Sequence, residues 1–463
     1  MQIIKVLTCF CLLILGFQGN GQSALEQLKT DFIKNNERLN AALMDIEYAR
    51  IEYQKARKDR LPKIEFQAQY FIRTGGRALN IPTGDLLNPM YHNLNYFNSK
   101  DFPSEDTPLY PQTYETIENT EIQFLRLREY DTNVTATLPI INSELKENIK
   151  LKELQIDRAE LQYEMLLQRE WTYFKVQFYQ YAKAQQTLKL LNNEEQKMQD
   201  RYQQLLHLEK EGEILKSDVQ KISLDLLDMS TQIKAQSILV KEKQNYIKNA
   251  LNGELPQDFE AFLVLPNDYR IKYTESELKA LWRKDNLDTK LIQQNRKLLE
   301  KELELKKQVY KPSLNLTFNS GLQGEDLQFN QQPFYATSAL QLRWNLFNPK
   351  RKLEKEQMNI LAKKSLLNKD LIISERSQQL STFYQSIDLE KDRIHLRAEE
   401  VSYYKKRLSI IESQHREGKQ TLINVHDAKM DLNSAEIAYT NSRFDFLVRC
   451  SELEQLLGFN ILH

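Results

Sequence analysis

Four segments of the chain alternate apolar and polar residues, which is the pattern of a β-strand with one apolar and one polar face. The predicted strands cover about residues 63–73, 132–141, 313–323 and 336–347. Their apolar sides include Phe66, Tyr70, Leu138, Leu316, Phe318, Leu342 and Trp344. About ten residues of tilted strand cross the apolar core of a bilayer. The pattern therefore predicts membrane-spanning β-strands whose lipid face carries these seven residues.

The alternative for these strands is a soluble sandwich of two hairpins packed on a core. Four strands in a chain of 463 residues are too few for a sandwich, and no other segment has a strand pattern. Four strands also cannot close a barrel, so the membrane interpretation requires an oligomer. Two chains would give eight strands around a filled interior, and three would give twelve strands around a lumen.

Charged segments without proline predict long helices in the rest of the chain. Shorter helices are expected at about residues 24–61, 214–250, 275–311 and 420–457. Two longer ones precede Gly212 and Gly418, and roughly 70 residues of helix would be about 100 Å long. A seven-residue apolar repeat follows each glycine, which favours coiled-coil packing over an ordinary amphipathic helix in a soluble bundle. Its members are Val219, Ile222, Leu226, Met229, Ile233 and Val240, then Val425, Ala428, Leu432, Ala435, Tyr439 and Phe446.

The two halves of the chain correspond to each other. Pro62 precedes the first strand, and Pro312 precedes the third strand 250 residues later. We therefore predict a first structural repeat at 22–250, a bridging segment at 251–275 and a second repeat at 276–463. The loop between the first two strands, about residues 74–131, is much longer than its counterpart and is rich in aromatic residues and proline. It is expected to form an ordered lid or a crown of mobile loops.

The N-terminus indicates export. Residues 1–21 combine Lys5, a twelve-residue apolar stretch and a small-residue cleavage site, as in a secretory signal peptide. Cys9 raises the alternative of a lipoprotein, but it lies at the start of the apolar stretch and not at its end. No other segment reaches 18 apolar residues, so no helical membrane span is expected. The three cysteines do not suggest a disulfide framework.

Composition and motifs give no indication of an enzyme. The 64 basic and 64 acidic residues balance, so no overall charge favours nucleic acid. No nucleophile with a base and no phosphate-binding glycine loop is present, so no catalytic residue or cofactor is predicted. No metal site is predicted from the six histidines, which are scattered. His415 and His426, which flank the second helical turn, are expected to be solvated.

The order and spacing of several short motifs carry a resemblance to a known family. The chain resembles the TolC-type outer-membrane efflux proteins, or outer membrane factors, over nearly its whole mature length. The matching motifs are Leu61-Pro62, Pro312, Leu346-Phe347-Asn348, Gly212 with Asp218-Val219-Gln220, Gly418 with the segment from Asn424 to Leu432, and Leu457-Gly458.

The resemblance implies a mainly α protein with membrane β-structure. It would be a homotrimer in the outer membrane of a Gram-negative-type cell, with a twelve-stranded barrel in the lipid and a helical tunnel in the periplasm. Its implied role is the exit channel of a tripartite efflux or type I secretion system, a passive duct for small molecules or polypeptides. The implied partners are a periplasmic adaptor and an inner-membrane pump of the RND, ABC or MFS type.

The resemblance also implies a gate where the helices turn, at Gly212 and Gly418. Asp218 falls on the position of an acid that links helices, and Asp427 on one of the acids around the narrowest point. Gln420 and Asn424 depart from the family pattern, since the best-known member has an arginine and an acid there. Because of these departures, the resemblance does not establish how strongly the gate is held closed or whether its narrowest point prefers cations.

Two other functions fit parts of the sequence. A periplasmic coiled-coil scaffold or adaptor with a small β domain would explain the signal, the heptads and the neutral charge, but it does not need strands of bilayer length. A surface receptor or adhesin would use the 74–131 loop, and that role is compatible with transport. The sequence does not identify the cargo.

Overall fold

A computed structural model describes residues 20–101, 113–124, 126–253, 271–284, 286–325, 334–459 and 461. The predicted signal peptide lies outside these residues except for Asn20 and Gly21. Most of the predicted bridging segment, residues 254–270, also lies outside them.

The first half of the chain is helical on either side of two long strands. Its elements in chain order are α1 (Asn20–Asn35), α2 (Glu37–Lys58), β1 (Lys63–Ile72), β2 (Ala78–Ile81), α3 (Thr83–Asp101), β3 (Thr120–Gln123), β4 (Arg128–Ile141), α4 (Ser143–Lys210) and α5 (Lys216–Ala250). At 68 residues, α4 is about 100 Å long.

The second half presents the same order of long elements without a counterpart of β2, α3 and β3 in its described residues. It contains α6 (Glu275–Lys284), α7 (Leu287–Gln308), β5 (Ser313–Glu325), β6 (Phe334–Arg343), α8 (Arg351–Arg416) and α9 (Leu422–Leu457). The helix α8 has 66 residues, close to the length of α4.

Two helices predicted to be continuous are each interrupted at an asparagine. The side chain of Asn36 accepts a hydrogen bond from the Leu39 amide (3.1 Å), and that of Asn286 accepts one from the Thr289 amide (2.6 Å). An asparagine in this position caps the N-terminus of a new helix, so α2 and α7 start afresh there. The predictions of single helices at 24–61 and 275–311 are wrong in this respect.

The four long strands form one antiparallel sheet in the order β1-β4-β5-β6. Two of its strands differ from the prediction by four residues at one end. β4 starts at residue 128 instead of 132, and β6 ends at Arg343, so Trp344 lies just beyond the strand. Among the described residues β1 and β6 are the edge strands of this sheet, and no described strand pairs with their outer sides.

A second, two-stranded sheet of β2 and β3 lies in the long loop between β1 and β4, which we call the excursion. The prediction that no other segment forms a strand is therefore wrong, because strands of four residues are too short to show a clear alternation. Asn88 exchanges two hydrogen bonds of 2.9 Å with the backbone of Ile117, and Asn95 exchanges two with the backbone of Tyr114 (2.7 and 2.6 Å). These paired contacts give the described part of the excursion a defined structure.

The chain divides into two compact units. One contains most of the helical residues, and the other contains residues 55–149 and 305–348, with both sheets. In the helical unit the core includes Phe174, Phe178, Phe444 and Phe446, each at most 1% exposed. A buried ion pair between Lys175 and Glu454 joins α4 to α9.

Candidate functional site

The register of the four-stranded sheet places the apolar residues of all four strands on one face. Partners in neighbouring strands share a face, and Cα pairing therefore shows which side chains lie together. The pairs on the apolar face include Phe66 with Val134, Tyr70 with Tyr130, Leu138 with Leu316, Phe318 with Ala136, and Leu314 with Leu342. Six of the seven residues predicted to face lipid are strand residues, and all six lie on this face.

The opposite face of the sheet is polar and is linked across strands by hydrogen bonds. Asp131 accepts from the Tyr335 hydroxyl (3.2 Å) and from the Asn133 amide (3.3 Å). Glu129 pairs with Arg73 and accepts a hydrogen bond from Gln323 (2.7 Å). The sheet therefore has the two-sided character of a surface between an apolar medium and water.

Trp344 lies beyond the end of β6 and is 58% exposed. Its indole Nε1 donates a hydrogen bond to the backbone carbonyl of Tyr310 (3.1 Å). An exposed indole with its polar atom satisfied at a strand end is typical of an interfacial residue, and it places Trp344 at the rim of the sheet and not in its centre.

The predicted helical turns at Gly212 and Gly418 have the same backbone hydrogen bonds. Gly212 donates to Glu209 and Glu213 to Leu208, and Gly418 donates to His415 and Lys419 to Gln414, all between 2.8 and 3.0 Å. This is the Schellman arrangement, which requires a left-handed residue after the helix. Both glycines have it, with φ of 79° and 77°. The two sharp turns thus depend on glycine for backbone conformation, since a Cβ at either position would meet nothing within 4 Å.

Side chains organise the second turn further. Thr421 caps α9 by accepting from the Asn424 amide nitrogen (3.3 Å), and the Asn424 side chain donates to the Gln420 Oε1 (2.5 Å). His415 is placed against the Gln420 carbonyl at 2.8 Å, so its Nδ1 carries the proton. Gln420 and Asn424 therefore bind each other within one turn.

The two acids predicted at this end of the helices occupy different environments. Asp218 lies in the first turn of α5 and is partly exposed. Within the described residues of this chain its carboxylate makes no ion pair. Asp427, in α9, accepts two hydrogen bonds from the Lys221 ammonium in α5 (2.6 and 2.7 Å). The Lys221–Asp427 pair is an exposed link between the hairpin of α4 and α5 and the hairpin of α8 and α9.

The prediction for His426 is wrong. Its side chain is fully buried, whereas it was expected to be solvated. Its Nε2 lies 3.0 Å from the Asp225 carboxylate of α5, and its Nδ1 lies 3.2 Å from Nη1 of Arg201 in α4. Arg201 in turn donates to Glu194 (2.5 Å). We call these four residues the tip network, and it joins α4, α5 and α9.

The partners of His426 fix its protonation state. An arginine can only donate, so Nδ1 must accept, and Nε2 then donates its hydrogen to Asp225. The imidazole is therefore neutral. Burial lowers the pKa of His426, and the Asp225 hydrogen bond opposes this shift, while the Arg201 charge adds to it. A second proton on the ring would place two donors, from His426 and Arg201, against each other.

Sequence position explains why His426 was missed. It directly follows Val425, a member of the heptad seam, and a position next to the seam faces solvent in a helix packed on one side. The helix α9 is packed on several sides, because α8, α4 and α5 all contact it through described side chains. The partly exposed ion pairs Lys429–Glu412 (3.1 Å) and Lys405–Glu436 (3.2 Å) join α9 to α8.

Two further observations apply to the residues that the structure describes. Among them, no helix is both long enough and apolar enough to cross a membrane. They also contain no group of three His, Cys, Asp or Glu side chains placed to hold a metal ion.

Solved structures that match this chain cover nearly all of it. A structure of CusC, whose subject is folding and transmembrane channel formation, matches with a TM-score of 0.70 at 14% identity and covers 95% of both chains. The CmeC outer membrane channel of Campylobacter jejuni gives a TM-score of 0.67 at 12% identity over 95% of this chain and 87% of that one. The open MtrE outer membrane channel of Neisseria gonorrhoeae gives 0.68 at 11% over 94% and 89%. No protein-family model and no curated protein matches the sequence. The chain has the mostly helical fold with a small antiparallel sheet that these outer-membrane channels share.

Proposed function

We propose that the protein is an outer-membrane exit channel, formed by three copies of the chain, with its four-stranded sheet in the lipid and its long helices in the periplasm. The observation that carries this proposal is the four-stranded sheet, with one continuous apolar face, one hydrogen-bonded polar face and two open edges. The fold shared with solved outer-membrane channels supports the same assignment.

The open edges of β1 and β6 require partners in a lipid environment, where an unpaired backbone group costs several kcal/mol. Pairing β1 of one copy with β6 of the next closes the sheet into a ring with cyclic symmetry. Two copies would give eight strands around a filled interior, whereas three give twelve strands and a lumen. A lumen fits the polar face, because Glu129 and Asp131 would then face water.

Exposed apolar residues in the helical unit also favour association between copies. The helix α8 carries Leu389, Leu396, Tyr403 and Ile410, each separated by seven residues and each more than half exposed. The helix α5 carries exposed Leu224, Leu227 and Ile238. A seven-residue stripe is the seam of a coiled coil, and we assign it to contact with a neighbouring copy.

We assign the two helical repeats at 22–250 and 276–463 to an internal duplication. The capping asparagines Asn36 and Asn286 support it, because they are 250 residues apart, as are Pro62 and Pro312. The turns at Gly212 and Gly418, with identical hydrogen bonding, add a third correspondence.

The periplasmic end would hold the gate, where Gly212, Asp218, Gly418 and Asp427 lie at or near the turns, with Gln420 and Asn424 in the second. The channel would be passive and would receive cargo from an inner-membrane RND, ABC or MFS-type pump through a periplasmic adaptor, in a tripartite efflux or type I secretion system. The expected cargo is small molecules or polypeptides.

The proposal is tested by placing an arginine on each face of the sheet. Phe318 lies near the middle of β5 on the apolar face, and its neighbour Thr317 lies on the polar face. Phe318→Arg should cost about 2–4 kcal/mol at the bilayer midplane, whereas Thr317→Arg should have little effect. Leu342 is a weaker probe, since it is one residue from the end of β6.

The readout is a trimer that resists detergent on a gel until it is boiled, together with conductance in planar bilayers. The parent and Thr317→Arg should both show the trimer and channel currents, and Phe318→Arg should show neither. Equal behaviour of the two variants contradicts the barrel. A parent that is monomeric without boiling and inactive in bilayers favours a periplasmic coiled-coil scaffold instead.

A further inference from the structure

One end of the four-stranded sheet is strongly basic. This is the end where β1 and β5 begin and β4 and β6 finish, so all four connections to helices leave from it. Residues 58–63, 142–149, 306–313 and 343–348 contain eight basic and three acidic residues, in a chain whose charges balance overall. The excess is therefore local to this end.

Six of these basic side chains are exposed and lack an ion-pair partner in the part of the chain that the structure describes. We call them the basic collar: Lys58, Arg60, Lys306, Lys307, Lys311 and Arg343. Because neighbouring strands lie about 4.8 Å apart, the end of a four-stranded sheet is about 15 Å wide. Arg343 ends β6, and Arg60 and Lys311 lie in the turns just before β1 and β5. Lys58, Lys306 and Lys307 lie in the last turns of α2 and α7, which lead into those strands.

Exposed apolar side chains are interleaved with the collar. Leu61, Trp344, Leu346 and Phe347 are between 58% and 83% exposed. Long cationic side chains next to exposed aromatic and aliphatic ones are typical of the level where a protein leaves the apolar core of a membrane and meets its headgroups. The Trp344 indole, whose Nε1–H donates a hydrogen bond to the Tyr310 carbonyl, is also typical of the headgroup level of a membrane.

The opposite end of the sheet has no comparable excess of charge. Residues 72–78, 120–131 and 323–325 contain four arginines and four acids. Arg73 is paired with Glu129, which also binds Gln323. The two rims of the sheet therefore differ in charge, and the excess of positive charge is at the helix-side rim.

We propose that the basic collar binds the anionic headgroups of phospholipids in the leaflet next to the helices. The inference rests on the proposed membrane barrel, since only that arrangement brings the collar to a lipid surface. Several Lys and Arg side chains at a membrane surface add their attractions for anionic lipid, and the interleaved apolar groups reach into the acyl region of the same molecules. The collar would thereby fix the depth of the barrel in the membrane and favour anionic lipids around its inner rim.

Trp344 supplies the reporter for a test in the full-length trimer. The protein is reconstituted into phosphatidylcholine vesicles that contain equal fractions of brominated phosphatidylglycerol or brominated phosphatidylcholine, and tryptophan quenching is compared. A Trp344→Phe variant gives the background from Trp171 and Trp282. Brominated phosphatidylglycerol should quench Trp344 with an apparent affinity at least about tenfold higher than that of brominated phosphatidylcholine.

A collar variant with Lys58, Arg60, Lys307 and Lys311 changed to Gln should lose this preference to within about twofold. The control variant changes the same number of exposed cations on the helices, Lys189, Lys234, Lys241 and Lys391, to Gln and should keep the preference. Trimer content on gels shows that each variant is assembled.

The outcomes separate this inference from the proposed function. If neither brominated lipid quenches Trp344, the sheet does not reside in the bilayer and the barrel itself is wrong. If both lipids quench equally in the parent, or if the collar variant keeps the preference, the barrel stands and the lipid site is wrong. Loss of the preference in excess inorganic phosphate at constant ionic strength would indicate a free-phosphate site and overturn the lipid assignment.

Discussion

The tip network predicts that acid loosens the packing of α9 against α4 and α5. Its central residue, His426, is neutral because Arg201 donates to Nδ1 while Nε2–H donates to Asp225. The folded pKa lies below the ordinary 6.5. Below pH 6.5, the form in which α9 has separated from α4 and α5 therefore takes up a proton on His426 that the packed form excludes. The network's contribution is complete above about pH 6.5 and declines as the pH falls toward the folded pKa.

The size of the effect follows from the number of protons and from burial. One proton gives a slope of at most about 1.4 kcal/mol per pH unit. Removing the acceptor altogether with His426→Ala leaves the Arg201 guanidinium, 9% exposed, short of one partner, which costs about 1–3 kcal/mol at neutral pH. His426→Asn keeps an acceptor for Arg201 but does not titrate, so its stability should be independent of pH in this range.

The pH dependence of the local opening of α9 is measured by hydrogen exchange of the trimer. Peptides covering residues 422–430 are compared at pH 7.5 and 5.5, after correction for the intrinsic exchange rate. The parent should exchange faster at the lower pH, and His426→Asn should show no such change. His207→Asn is the matched control, because His207 is an exposed histidine in an i,i+4 pair with Glu211. The same pH dependence in the parent and in His426→Asn would refute the assignment of the titrating group.

Four further predictions concern the two helical turns and the long loop between β1 and β4. Asp218→Ala should raise the resting single-channel current by removing a restraint that its carboxylate, free of ion pairs within the described residues of this chain, makes with a neighbouring copy; an unchanged current in planar bilayers would place the gate elsewhere. Asp427→Ala should weaken block by multivalent cations, whereas Lys221→Ala should strengthen it by freeing the Asp427 carboxylate; titrations of the current with such cations compare the two. Gly418→Ala should destabilise the second hairpin by about 1 kcal/mol through its positive φ alone, seen as a lower melting temperature, while a much larger loss would point to a clash. Replacing residues 75–126 with a short turn should leave the trimer intact and raise conductance, whereas loss of the trimer would make the excursion part of the assembly.

Long periodic elements were predictable from the sequence because their pattern repeats many times. The alternation in β1 and β5 gave both their position and the face that each side chain occupies, since register and alternation must agree across the sheet. The turns at Gly212 and Gly418 were predictable for a similar reason, because a glycine that ends a long helix has one common role.

Features that depend on a single side chain were not predictable. Asn36 and Asn286 split two helices by capping, but an asparagine inside a charged helix has no distinct pattern. The burial of His426 depends on which helices meet around α9, which a single heptad does not encode. The short strands β2 and β3 owe their pairing partly to contacts made by Thr83, as with Thr120 (3.0 Å), and such contacts are invisible in hydropathy.

The open edges of β1 and β6 have a genetic consequence in the proposed trimer. Each subunit supplies one edge to each of its two neighbours, so a single defective edge interrupts the ring wherever that subunit is placed. In a cell that makes intact and edge-defective subunits in equal amounts, random assembly leaves only about one ring in eight free of defective subunits. An edge mutation in this chain is therefore expected to be dominant over a normal copy, whereas a mutation that prevents folding altogether should be recessive.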